Sequence, residues 1–192
     1  AAANVARTRL HELLHRYGAQ VIGDALADQI DYAQALFRQK LAALPDGTWY
    51  AEDFLDHDGH EERTYVVRCR LTKSGERLCF DFTGTSPEAP GLINTTLAGA
   101  AAGVYSAVYP FLCATIPWNA GVLRQIDLIV EEGTLHHARF PAPVGSGVVH
   151  ATWCTLNAAA LALGKMLATL DPPEAMAGWA GSTFVYNIFG RT

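Results

Sequence analysis

With 192 residues, half of them hydrophobic and only 17% charged, the chain can fill a sizeable core and is excluded from the disordered class. Its 14 basic and 19 acidic residues give a net charge of −5 with no basic cluster, which excludes a phosphate-backbone footprint and so nucleic acid as a partner. The four cysteines, Cys69, Cys79, Cys113 and Cys154, are widely spaced without a CxxC pair and read as small buried hydrophobes in a reducing, cytoplasmic setting.

The chain opens on Ala1-Ala2-Ala3-Asn4-Val5, with neither an initiator methionine nor a signal-peptide pattern, and reads as a stretch from inside a longer protein. Leu10, Leu13, Leu14, Tyr17 and Val21 mark one helix face that the spacing assigns to the core. After Gly23 a second stripe follows at Leu26, Ile30, Ala33, Phe37, Leu41 and Leu44, with Asp24, Asp28, Asp31, Arg38 and Lys40 on the wet side. Residues 1–45 are therefore expected to form a helical segment, either one helix kinked at Gly23 or two in succession, stopped by Pro45-Asp46-Gly47.

From Trp49 the apolar period changes from 3.6 to 2. Thr48 to Phe54 reads as a short strand, and Asp56-His57-Asp58-Gly59 as a solvated turn. Tyr65, Val67, Cys69 and Leu71 then alternate with polar residues, Lys73-Ser74-Gly75 turns the chain, and Leu78, Phe80 and Phe82 face the same way on the return strand. This is an antiparallel hairpin with one buried face. Thr83 to Gly91 is loop, and Thr95 to Phe111 is an Ala/Gly-rich buried helix bent or ended near Pro110. Strands are expected at Ile126–Val130 and Thr134–Phe140, a loop over 141–147, a second buried Ala-rich helix from His150 to Leu170, and a closing strand at Thr183–Phe189. The order argues for an α+β fold in which residues 46–192 form the core of a larger subunit, rather than a regular βαβ series. Two uncharged stretches, Ala89–Leu123 and Phe140–Gly164, exceed the roughly 20 residues that span a bilayer. Their prolines, asparagines and glycines, and the lack of basic flanks, assign them to the protein core and not to a membrane.

Several clusters carry the residue types of metal and nucleophile chemistry. His11-Glu12-Leu13-Leu14-His15 is a formal H-E-x-x-H match, in which two imidazoles one helical turn apart would hold zinc. The apolar residues of that helix claim its buried face, however, and no third ligand follows at peptidase spacing, so a solvated helix face is the better reading. Asp56-His57-Asp58-Gly59-His60 lacks the closing glutamate of a calcium loop. His136 and His137, placed in a strand, would point to opposite faces and not chelate together. Gly145-Ser146-Gly147 is not a nucleophile elbow, and no GxxxxGK[ST] or GxGxxG is present, so a self-contained nucleotide site is not indicated.

A succession of separated blocks is more informative. Leu44-Pro45-Asp46-Gly47-Thr48-Trp49-Tyr50 precedes an acidic Asp-x-Asp-Gly turn. Asp81-Phe82-Thr83-Gly84-Thr85-Ser86-Pro87, Gly91-Leu92-Ile93-Asn94, Pro117-Trp118-Asn119-Ala120-Gly121 and Pro141-Ala142-Pro143-Val144 then follow in order. In that order the chain resembles the hydantoinase B/oxoprolinase family over nearly its whole length. One departure is Gly145-Ser146-Gly147, where the family tends to place Gly-Asn.

The resemblance implies part of a larger, ATP-dependent enzyme acting on a cyclic amide (hydantoin, 5-oxoproline or another lactam) or carboxylating a ketone such as acetone or acetophenone. It implies a hetero-oligomer with an A-type, actin-like ATPase subunit or domain that holds ATP and Mg2+ and phosphorylates the substrate's carbonyl oxygen. It also implies a divalent metal, zinc or manganese, in a part of the B-type subunit outside this stretch, so that no metal ligand is assigned here and the isolated chain is expected to be inactive. For this stretch the candidates are substrate-holding residues: Asp81 and Thr83 at a strand end, with Asn94 and Asn119 in loops flanking the buried helix. The competing expectation is that the asparagines tie backbone and that Asp81 pairs with an arginine such as Arg77 or Arg124. A non-catalytic scaffold that holds enzyme subunits together is the alternative function.

Overall fold

The computed structural model describes residues 2–170, so the strand expected at Thr183–Phe189 lies outside the described residues. Two helices open the chain, α1 (Ala2–Tyr17) and α2 (Ala19–Ala42). The break falls at Gly18 and not at Gly23, which is inside α2. Gly18 has a φ of 81°, a left-handed backbone that glycine adopts without a Cβ penalty and that ends α1 after the Gly18 N–H has bonded back to the Leu14 carbonyl.

The apolar stripe of α1 is present, but it does not face the core. Leu10, Leu13 and Tyr17 are 45–47% exposed, and α1 buries no residue. The neighbouring elements cover α2 only in its second half, where Ala33, Phe37 and Leu41 are fully buried. Residues 2–28 therefore project as an arm.

A four-stranded sheet follows, ordered β1 (Gly47–Leu55), β2 (Tyr65–Ser74), β3 (Arg77–Asp81) and β4 (Ile126–Ile129). The first three are antiparallel neighbours, and β4 runs parallel to β3. Parallel pairing requires a crossover, and here it contains α3 (Leu97–Leu112) and the single turn α4 (Ala120–Leu123). The sheet period of two does what the hairpin pattern predicts: Tyr65, Val67, Cys69, Leu71, Leu78 and Phe80 line one buried face, while Tyr50, Glu52, Arg68 and Arg70 lie on the other. Two ties fix the start of the sheet to the end of α2. The Lys73 ammonium, buried at 3% exposure, donates to the Leu44 carbonyl at 2.5 Å and to Asp46 Oδ1 at 2.7 Å.

Against the buried face lies α5 (Ala151–Leu167), and α3 packs on α5 from the other side. A helix between two layers must be apolar nearly all round, which explains its run of alanines; Ala151, Ala158, Ala159 and Ala162 have no exposure. The helices meet at Gly103, where a Cβ would fall 2.7 Å from the Thr152 carbonyl and 2.9 Å from Thr155 Cβ. At the other flank α5 shields the outer edge of β1: Lys165 Nζ donates to the Tyr50 carbonyl at 2.6 Å, and Asn157 Nδ2 to Asp53 Oδ2 at 2.9 Å.

The expected strand at Thr134–Phe140 is instead a tight loop. The Gly133 N–H donates to the His137 carbonyl and the His137 N–H to the Thr134 carbonyl, while Leu135 and Ala138 bond to Ser86 and Thr95 in the 83–96 connection. Those backbone groups are spent on another loop and are not available to a sheet. Consecutive Leu135 and His136 are both fully buried, which a strand covered on one face would not allow. His136 packs edge-on against Phe82 with ring centroids 5.0 Å apart, and burial pushes its pKa down to about 3, so the imidazole is neutral. None of the described helices is long and apolar enough to cross a membrane.

Candidate functional site

The sheet register brings Asp81, the last residue of β3, opposite Arg70 on β2. One oxygen of Asp81 accepts from Arg70 Nη2, and Oδ1 accepts the Thr83 N–H at 2.8 Å, closing the turn at the strand end. Burial works to raise the Asp81 carboxyl; the Thr83 hydroxyl and N–H and the Arg70 guanidinium outweigh it and hold the group below the usual carboxylate range. The sequence expectation named Arg77 or Arg124 as the partner, but Arg77 is taken by Asp127 and Arg124 by Asp31 and Gln34. Cross-strand register decides this, since Arg70 is directly opposite Asp81 on the same face.

Around this pair the open face of the sheet is hollowed into a groove of about 250 Å3, with Tyr50, Glu52, Arg68, Arg70, Asp81 and Thr83 among its lining residues. Arg68 Nε donates to Glu52 Oε1 at 2.9 Å, and Arg68 Nη1 to the Gly84 carbonyl at 2.5 Å. Asp81 is nearly buried at 6% exposure, whereas Tyr50 is 63% exposed. Tyr50, Glu52, Arg68 and Arg70 are not singled out by the sequence, although the strand alternation that places Tyr65, Val67 and Cys69 inside puts Arg68 and Arg70 on one outer face.

The two asparagines are placed differently. Asn94 has no exposure, and its amide is spent on backbone: it accepts the Ala89 N–H at 2.6 Å and donates to the carbonyls of Ala89 (2.8 Å), Gly91 (3.1 Å) and Pro143 (2.9 Å). Asn119 caps α4, accepting the Gly121 N–H at 2.8 Å, and donates to the Gln29 carbonyl at 3.0 Å. Neither lines the groove. Both fix loops in place.

Asp58, expected in a solvated turn, is 6% exposed. Its oxygens accept the N–H groups of His60 and Glu61 at 2.8 Å and of Gly91 at 2.9 Å, joining the 56–61 loop to the Gly91-Leu92-Ile93-Asn94 block. The Glu61 N–H foremost, with those of His60 and Gly91, overcomes the opposing effect of burial and holds the carboxyl at about 2.

The His11-Glu12-His15 helix face is exposed, and Glu12 pairs with Arg9 at 2.8 Å. Among the described residues no group of three or more His, Cys, Asp or Glu side chains is placed to hold a metal ion. The donors present do not fit the divalent metal that the resemblance implies for the larger subunit.

A buried ladder beneath, an arginine–carboxylate groove above and loops tied by Asp58 and Asn94 make up the candidate site. The profile of one family, hydantoinase B/oxoprolinase, matches residues 1–192. The chain belongs to that family. Among its relatives is the B-type subunit of a putative D-/L-hydantoinase of Pseudomonas sp. (strain NS671), 30% identical over all of this chain and 33% of that protein. The beta subunit of the caprolactamase of Pseudomonas jessenii is 26% identical over 99% of this chain and 32% of its own length. The delta subunit of the acetophenone carboxylase of Aromatoleum aromaticum is 30% identical over 65% of this chain and 18% of its own. The chain thus spans about a third of the length of the first two. In three dimensions it superposes on the ATP-dependent caprolactamase of Pseudomonas jessenii with a TM-score of 0.78, at 25% identity, covering 85% of this chain and 28% of that one. It shares its fold with nucleotide-free acetone carboxylase, at a TM-score of 0.76 and 15% identity over 83% of this chain and 23% of that one.

Proposed function

We propose that this chain is part of the B-type subunit of an ATP-dependent enzyme that hydrolyses a cyclic amide or carboxylates a ketone, and that the Arg70–Asp81 groove contributes to its substrate-pocket wall. The match over the full chain to a family whose relatives include hydantoinase, caprolactamase and acetophenone carboxylase subunits carries the reading. ATP and Mg2+ belong to an A-type ATPase partner, the enzyme is cytoplasmic where ATP is supplied, and the assembly is a hetero-oligomer. An unstrained amide carbonyl is a poor electrophile, and phosphorylation of its oxygen provides a leaving group. In that scheme the residues described here bind and orient. Asp81 aims Arg70, Thr83 borders the groove, and Asn94 and Asn119 hold the loops that shape this part of the enzyme. No step is assigned to a metal here, because these residues offer no ligand set for one.

Thr83→Val tests the reading in the complete assembly, because Thr83 is exposed and its hydroxyl reaches Asp81 at the groove and not the hydrophobic core. A pocket wall predicts turnover reduced about tenfold with assembly unchanged; unaltered turnover overturns the role of the groove. A scaffold is the second reading, favoured by the projecting arm of α1 and by the charge-free helix α3, which exposes Leu97, Tyr109 and the neighbouring Trp118. A scaffold variant loses assembly before it loses chemistry.

A further inference from the structure

The groove holds more than a carboxylate pair. Arg68 and Arg70 are two residues apart on one face of β2, so their Cα atoms stand about 7 Å apart and both guanidinium groups reach over the same hollow. Each has one carboxylate partner, which gives a neutral quartet with Glu52 and Asp81. The accessible chemistry is not balanced, however. The Asp81 side chain is only 7% exposed, whereas that of Arg70 is 51% exposed; Arg68 and Glu52 are exposed alike, at 49% and 47%. Asp81 engages Arg70 through Nη2, and Arg68 spends Nε and Nη1 on Glu52 and Gly84. The open surface therefore presents two guanidinium groups against one accessible carboxylate, that of Glu52, with the exposed Tyr50 hydroxyl bonded to Arg70 beside them. A guanidinium anchored through one nitrogen by a buried carboxylate is oriented, with its remaining N–H groups turned toward a second oxygen acceptor.

We propose that the groove is an oxyanion-binding subsite. Arg70 is the ligand-contacting residue, supported by Arg68; Tyr50 packs against the ligand's body, and Asp81 is a positioning residue that never touches it. The ligand is a small molecule presenting a carboxylate or phosphoryl oxygen, of a size that about 250 Å3 admits. This inference deepens the reading of the groove as a pocket wall and rests on it.

Crystals of the complete subunit soaked in selenate, standing for a phosphoryl group, or in 3-bromobenzoate, standing for a carboxylate, locate such a site by anomalous scattering. One or both are expected within hydrogen-bond distance of Arg70, and which of them binds tells phosphoryl from carboxylate recognition. Arg70→Gln abolishes the signal, and Asp81→Asn weakens it with Arg70 still in place. In solution Arg70→Gln raises the substrate KM of the assembly about tenfold, and Arg70→Lys restores part of the loss. Absence of both probes from the groove in the unaltered protein overturns the proposal. So does a probe signal that survives Arg70→Gln. If the probes bind at Arg70 while Arg70→Gln leaves kcat and KM untouched, the oxyanion site stands and the pocket-wall reading falls. If they do not bind while Thr83→Val still slows turnover, the wall stands and the oxyanion site falls.

Discussion

At the scale of single residues, the polar side chains in this chain separate by what occupies their hydrogen-bonding groups. Asn94 and Asn119 look alike in the sequence, each in a conspicuous block with glycine or proline nearby. Asn94 is sealed inside and satisfies four backbone groups; Asn119 caps one short helix at half-exposed ground. Asn94→Ala is therefore expected to destabilise the complete protein by on the order of 3 kcal/mol, since buried backbone acceptors lose their donors. Asn119→Ala should cost about 1 kcal/mol, the value of a cap. Urea unfolding midpoints at constant slope compare the two, and equal losses would show that burial is not the deciding factor.

Asp58 makes a prediction in pH. Its folded carboxyl sits near 2 against an ordinary 3.8, so the folded state holds fewer protons than the unfolded state between those values. The stability it contributes is fully present above about pH 4 and is lost as pH falls toward 2. Thermal melts of the unaltered protein should steepen in their decline over that window, and Asp58→Asn should flatten it. A variant with the same slope would place the acid sensitivity elsewhere.

Among elements, the hairpin is legible because alternation of Tyr65, Val67, Cys69 and Leu71 with polar residues admits one pleated reading. The Ala-rich helices are legible because uncharged stretches too rich in proline and glycine for a membrane must be buried in protein. Pattern and structure part where one local pattern fits two environments. Thr134–Phe140 has the residues of a strand, yet its backbone partners are in a loop some forty residues earlier, which periodicity cannot see. In α1 the apolar stripe is plain in the sequence, but no local signal says which surface covers it.

The α3–α5 contact gives the element-scale prediction. Gly103 has no room for a Cβ against the Thr152 carbonyl at 2.7 Å, so Gly103→Val must force two core helices apart. A loss of about 1–3 kcal/mol or more is expected from overpacking, read as a lowered melting temperature of the complete protein. Gly23→Ala, at an open position within α2, is the control and should be neutral or slightly stabilising.

For the molecule as a whole, this stretch has a continuous core and a polar groove on the open sheet face, but among the described residues no metal ligand set, and a surface left apolar at the arm and at α3. On the proposed function, the purified 192-residue chain is expected to show no ATP-dependent ring opening or carboxylation, and the complete assembly to show one of them. Turnover by the chain alone, measured as ATP-dependent product formation, would overturn the division of labour proposed here.

The amino-acid order by itself determined the α+β class and the hairpin with its buried face, because these depend on periodicity and on turn residues that act over a few positions; the family was legible only as a resemblance carried by the ordered succession of blocks. Only the tertiary structure decided that Asp81 belongs to Arg70, that Asn94 is a tie between loops, and that Arg68, Arg70 and Tyr50 share a groove. Such facts depend on register between strands and on contacts across tens of residues, and local sequence pattern carries neither.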